Sequence, residues 1–155
     1  MVLAEKRQSV KIRFNMANIV IIEDHQPVLK LLSSLCQAEG HDVMALDNGR
    51  AGMAAIREMT PDVALMDRRL GDLDGLEMIR EAREASPNTR FVMVSACSDT
   101  RDIVTAVRRG FCDYVTKPFE PSEIKDAVNR ALTEPAEPAP ISRQKLVILC
   151  PKQAA

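Results

Sequence analysis

The chain has 155 residues, 46% of them hydrophobic but only 3% aromatic, with no tryptophan. That composition excludes a disordered polymer and requires an aliphatic core, the kind that suits a parallel sheet covered by helices. Residues 1–16 carry Lys6, Arg7, Lys11 and Arg13 against Glu5, and residues 134–155 carry Arg143, Lys145 and Lys152 against Glu134 and Glu137, so within an overall charge of −1 the stretch between them is −5. An acidic middle argues against a nucleic-acid surface there, and the basic N-terminal stretch reads as a solvated tail.

The four cysteines, Cys36, Cys97, Cys112 and Cys150, have no C-x-x-C spacing. They point to neither zinc nor redox chemistry, and fit buried thiols in a reducing cytoplasm. No apolar run approaches the roughly 18 residues of a membrane span. No apolar stretch follows the N-terminal basic residues, so no signal peptide is expected.

In chain order, Ser9–Phe14 alternates like an edge strand, and Met16 stands just before the first core strand as an alternative start. Ile19–Ile22 is the first apolar run. Val28, Leu31, Leu32, Leu35 and Cys36 then recur at helical spacing, with Gly40 where a helix C-terminus favours it. The short run Val43–Ala45 precedes a helix through Met53, Ile56 and Met59 that Pro61 stops. Val63–Met66 predicts a third strand, and a helix from Gly75 uses Leu76 and Ile79. Phe91–Val94 predicts a fourth strand, followed by a helix through Ile103, Val104 and Val107 that ends near Gly110. Tyr114–Thr116 predicts a fifth. The last helix opens at Pro121 and Ser122 and uses Ile124, Ala127, Val128 and Ala131.

Five strand–helix repeats predict a doubly wound α/β domain over residues 17–132, its parallel sheet covered on both faces. The lack of in/out alternation within the strands is consistent with that covering. Residues 1–16 form an N-terminal extension. Thr133–Pro140 reads TEPAEPAP, a Pro-rich linker. Residues 141–155 form a tail in which Lys145–Cys150 could make one strand but no domain.

In open parallel sheets ligands bind beyond the carboxyl ends of the strands. There the sequence places Glu23 and Asp24 after the first strand, Asp67 after the third, Ser95 after the fourth, and Thr116, Lys117 and Pro118 after the fifth. Gathered carboxylates repel one another, and a Mg2+-like ion with hard oxygen ligands resolves the conflict. A carboxylate nucleophile beside such an ion can accept a phosphoryl group, with Lys117 and Ser95 as stabilising groups. Each residue also has an ordinary explanation: helix capping for Glu23–Asp24, a loop acid at Asp67, a cap at Ser95, a solvated Lys117. Their joint placement on one sheet edge carries the argument.

The motifs IIEDH (21–25), LMDRRLGDLDG (65–75), VMVSA (92–96) and DYVTKPF (113–119) resemble, in order, those of CheY-like receiver domains of bacterial two-component signalling. The resemblance implies a flavodoxin-like (βα)5 fold with strand order 2-1-3-4-5. It implies Asp67 as phosphoacceptor, and Mg2+ (or Mn2+) held by Glu23, Asp24, Asp67 and the backbone carbonyl of Arg69. The backbone amides of Arg68 and Ala96 are implied to meet the phosphoryl group, together with Ser95 and Lys117, and the Lys117–Pro118 bond to be cis. Ser95 and Tyr114 are implied to form the switch: Ser95 moves toward the phosphoryl group and Tyr114 turns into the space it leaves. On pattern alone, Tyr114 reads as an ordinary half-buried strand aromatic.

Implied partners are a sensor histidine kinase or phosphotransfer protein, with Gln26, Pro27 and Phe119 as candidate contacts, and an output domain or effector. A homodimer through the fourth helix, fifth strand and fifth helix would use Arg101, Asp102, Arg108, Arg109, Glu123 and Asp126. A cytoplasmic protein that turns over no external substrate is expected. Two departures stand out. Gly71 replaces the family's usual proline four residues after the phosphoacceptor, implying a more mobile loop, and Arg69 is placed to fold over the phosphoryl group and hinder the hydrolytic water. Cys97 is either a border of the pocket or a small loop residue, the second being favoured.

Two rivals differ in class. A haloacid-dehalogenase-type phosphatase requires an acid two positions after its nucleophile, where this chain has Arg69. A phosphorylation-independent interaction module has no need of the complete set Glu23, Asp24, Asp67, Ser95 and Lys117. Nucleotide-binding glycine motifs are lacking.

Overall fold

A computed structural model describes residues 16–134. The readings made of Ser9–Phe14, of the linker beyond Glu134 and of Lys145–Cys150 lie outside the described residues. Five parallel strands, β1 (Asn18–Ile22), β2 (Asp42–Leu46), β3 (Val63–Met66), β4 (Arg90–Ser95) and β5 (Asp113–Thr116), form a sheet in the order β2-β1-β3-β4-β5. Helices α1 (Gln26–Ala38), α2 (Gly49–Met59), α3 (Gly75–Ala85), α4 (Thr100–Arg109) and α5 (Pro121–Thr133) follow the strands in turn. This is the flavodoxin-like fold and strand order expected from the sequence. The last helix runs one residue into the stretch read as linker.

Side chains of β1 alternate between two cores. Ile19 and Ile21 pack with Leu29, Leu32 and Cys36 of α1 and with Ile124, Ala127 and Val128 of α5. Val20 and Ile22 pack with Met53 and Ile56 of α2, Ile79 of α3 and Ile103 of α4. Both faces of the central strands are therefore dry, and their sequences carry no polar alternation.

Two expectations need correction. The α1 stripe is Leu29, Leu32 and Cys36 flanked by Val28 and Leu35, whereas Leu31 is 45% exposed. One step of helix rotation decides which leucine of a run faces the sheet, and spacing alone admits both solutions. β2, an edge strand, is only partly covered: Val43 and Leu46 pack half-buried against the two cores, while Met44 is 42% exposed.

The segment after Asp67 also departs from expectation. It folds into a two-residue hairpin in which Arg69–Leu70 pairs antiparallel with Leu73–Asp74 around Gly71 and Asp72. Gly71 sits at φ +24°, and the Asp72 carboxylate accepts from the amides of Gly49 and Arg50 at 2.8 and 3.0 Å, at the N-terminus of α2. Those amide bonds, the leading cause, hold the Asp72 carboxyl below its ordinary range. The loop that carries Gly71 forms a hairpin tied to a helix end.

Asp74 then caps α3 through Leu76 N at 2.8 Å. Gly75 begins the helix directly against the Asp67–Arg68 peptide. Its amide donates to Arg68 O at 2.6 Å, and a Cβ there would lie 2.4 Å from the Asp67 carbonyl oxygen. Backbone cannot yield as a flexible side chain can, so Gly75→Ala should destabilise the fold by about 1–3 kcal/mol, read from the urea midpoint.

Candidate phosphoacceptor site

Parallel register brings the ends of β1, β3, β4 and β5 to one edge, with Ile22 opposite Met66 and Ser95 opposite Thr116. The next residues of the chain are the candidates. Glu23, Asp24 and Asp67 each offer a carboxylate oxygen, all within 4.8 Å of one another. Glu23 is 1% exposed and Asp67 9%, whereas Asp24 is open to solvent. Neither acid caps α1: the N-cap is His25, whose side chain makes no capping bond.

Lys117 enters from the end of β5. Its Nζ donates to Asp67 Oδ2 at 3.1 Å and to Glu23 Oε2, while the other Glu23 oxygen accepts from His25 N at 3.0 Å. Burial is the largest influence on Glu23 and raises its carboxyl above the usual range; the Lys117 and His25 hydrogen bonds pull against it, and the Asp67 charge pushes the same way as burial. For Lys117, burial works to depress the ammonium, but the Glu23 hydrogen bond and the Asp67 and Glu23 charges outweigh it and the net shift is upward. The ammonium thus stays charged between two acids.

Three carboxylates against one ammonium leave a formal deficit of two positive charges. Hard oxygen donors with that deficit fit a divalent cation. Asp24 faces solvent, so a hydrated ion could reach the group from outside. The Lys117–Pro118 peptide is cis, as expected.

Ser95 is 3% exposed at the end of β4, and its Oγ accepts from Cys97 N at 3.3 Å. Tyr114 is turned inward and 4% exposed, its hydroxyl donating to the Cys97 carbonyl at 2.7 Å. Burial pushes its phenol up to about 12, against a smaller lowering from a hydrogen bond with Ser95. The two expected switch residues are in contact, and the ring is buried rather than half-buried.

Arg68 sends its guanidinium to Asp102 at 2.5 Å. Arg69 is exposed at the start of the hairpin, and Ala96 is exposed just beyond β4. Gln26 and Pro27 are exposed, whereas Phe119 is half-buried against the α1/α5 core. Of the residues expected at a dimer face, Asp102 is engaged by Arg68 and Cys97, and Arg109 donates to Leu76 O at 2.8 Å. Cys97 is a loop residue whose amide meets Ser95 at the site's border, and its thiol also donates to Asp102 Oδ2 at 2.7 Å. Nothing in sequence spacing announced the role of Asp72, whose amide partners lie more than twenty residues away, or that of Asp102, which joins Arg68 of another loop to the nearby Cys97.

Fold and site together are those of a receiver-type domain. The family model for the response regulator receiver domain matches residues 19–129, and the chain belongs to that family. It is 33% identical over 114 residues to the regulatory protein AtoC of Escherichia coli, covering 74% of this chain and 25% of that one. It is 33% identical over 123 residues to the DNA-binding response regulator MtrA of Mycolicibacterium smegmatis, covering 77% and 54%. Among solved structures, the BeF3-activated DrrB receiver domain superposes with a TM-score of 0.71 at 28% identity, covering 77% of this chain and 99% of that one. The chain thus spans a quarter to about half the length of these two curated relatives. Among the described residues, no helix is long and apolar enough to cross a membrane.

The Glu23–Lys117 pair yields a stability prediction. Removing one partner of a buried pair strands the other charge, so Lys117→Ala should cost about 3–5 kcal/mol at neutral pH in metal-free buffer. A carboxyl raised above its ordinary 4.5 favours the folded state when protonated, so this contribution is present at low pH and lost as pH rises through the folded value. Without Lys117 the carboxyl rises further. The deficit of the variant should therefore widen from pH 4.5 toward neutrality, as read from urea midpoints across pH.

Proposed function

We propose that this receiver accepts a phosphoryl group on Asp67 from a sensor histidine kinase or phosphotransfer protein, in a reaction that needs Mg2+ or Mn2+. The observation that carries the reading is the Asp67 carboxylate, 3.1 Å from the Lys117 ammonium and grouped with Glu23 and Asp24. In the transfer, the P–N bond of a phosphohistidine breaks and a P–O bond forms to an Asp67 oxygen. The imidazole nitrogen keeps the electron pair and takes up a proton.

Lys117 holds its positive charge beside the accepting carboxylate and is in place to stabilise oxygens of the transferring group. Ser95 supplies a hydroxyl at the same edge. Glu23 keeps Lys117 oriented, with one oxygen on the ammonium and the other on the His25 amide. Glu23, Asp24 and Asp67, with the Arg69 carbonyl as a further ligand, would hold a divalent cation, which would neutralise charge on the acids and on the phosphoryl oxygens. The exposed Arg69 side chain shields the product from water.

The modified protein signals by shifting the population of Ser95–Tyr114 arrangements, which reshapes the α4–β5–α5 face. The target is an output domain or effector protein, consistent with the large parts of AtoC and MtrA that lie outside the match. This chain is not itself the nucleic-acid binder, it works in the cytoplasm, and it turns over no external substrate.

Incubation with acetyl phosphate and Mg2+ should add one phosphoryl group to the intact mass. The addition should be lost in Asp67→Asn and in EDTA. Addition that persists in Asp67→Asn would overturn the assignment.

A further inference from the structure

Asp102, in the first turn of α4, gathers contacts from two other segments. It accepts from the Arg68 guanidinium at 2.5 Å and from the Cys97 thiol at 2.7 Å. Arg68 also lies 3.9 Å from Asp74 and 3.9 Å from the Cys97 sulfur. Cys97 in turn takes the Tyr114 hydroxyl on its carbonyl at 2.7 Å and gives its amide to Ser95 Oγ at 3.3 Å. A continuous chain of polar contacts therefore runs from the residue next to Asp67, through α4, to the ring on β5.

The electrostatics reinforce it. Asp102 is held below its ordinary range, first by the Cys97 hydrogen bond and then by the Arg68 and Arg69 charges. The pair is neither deeply buried nor fully open, with side chains 22% and 29% exposed. The segment Ala96–Asp99 has no regular secondary structure of its own, so its path is set by what grips it. Asp102 grips it from the helix side, and Tyr114 and Ser95 bind to the path that results.

We propose that Arg68 and Asp102 are positioning residues of the switch: their ion pair fixes the segment after β4 in the shape whose Cys97 carbonyl receives the Tyr114 hydroxyl. The inward ring is thereby held by protein groups and tied mechanically to the phosphoacceptor loop. Breaking the pair frees the segment, removes the acceptor for the hydroxyl and lets the ring out. Phosphorylation, under the function proposed above, then acts on an equilibrium already weighted inward. The latch itself does not depend on that function.

Tyr114 is the only tyrosine in a chain without tryptophan, so its emission reports the ring directly. Acrylamide quenching of the unmodified protein should be weak for wild type. It should strengthen about threefold in Arg68→Ala and in Asp102→Asn, in keeping with the loss of an ion pair of this exposure. The exchange R68D with D102R should restore weak quenching, which a general loss of packing would not do; circular dichroism and urea midpoints confirm that each variant is folded. Unchanged quenching in the folded single variants, or wild-type emission as accessible as in urea, would overturn the latch. Intact mass after acetyl phosphate, taken on the same samples, reads the Asp67 assignment separately, so either idea can fail alone.

Discussion

Three carboxylates and one ammonium share the carboxyl edge of the sheet, and this charge imbalance sets the demands that the surrounding structure meets. Like charges within 4.8 Å raise each other's energy, and burial of Glu23 adds to the cost. Lys117 relieves part of it from inside, by pairing with the two most buried acids. The remainder faces outward through Asp24, where solvent or a cation can meet it. Such a concentration of negative charge opposes the fold, and a bound cation would relieve it.

The fold delivers that edge economically. Parallel pairing brings the ends of β1, β3, β4 and β5 to one edge, and dry cores on both faces keep the strands from shifting register. Short-range devices then fix the loops. Gly75 lets α3 start against the Asp67 peptide, and Asp72 ties the following hairpin to α2. Arg68 and Asp102 join the same loop to α4. The loop that follows Asp67 is thus anchored to three helices, while the segment after β4 is held by side-chain contacts. Rigidity on one side and dependence on a few polar contacts on the other give the site a part that can respond.

Much of this was legible in the sequence, for a physical reason. Strands buried on both faces must be apolar throughout, so β1, β3, β4 and β5 stand out as runs, and the acids that follow them fall at the ligand edge of any such sheet. β2 was found as a strand but misjudged as covered, because an edge strand with one apolar neighbour reads much like a central one. Leu31 was assigned to the core because helical spacing admits two adjacent stripes. Asp72, Asp102 and Cys97 were opaque for a different reason. Each acts through a contact between loops or a loop and a helix end, and such pairings follow from three-dimensional placement without leaving a period in the sequence. The hairpin at Gly71 and its tie to the α2 amides through Asp72 were likewise not legible, since a lone glycine does not say which turn it makes.

The charge imbalance is tested most directly by urea unfolding of wild type and Asp24→Asn, each in EDTA and in saturating Mg2+. Removing one of three repelling acids should raise the midpoint in EDTA. Mg2+ should stabilise wild type, by about 2.7 kcal/mol when present at about a hundred times its dissociation constant, and should stabilise Asp24→Asn distinctly less. A variant no more stable than wild type in EDTA, together with a wild-type midpoint that Mg2+ does not move, would contradict the account.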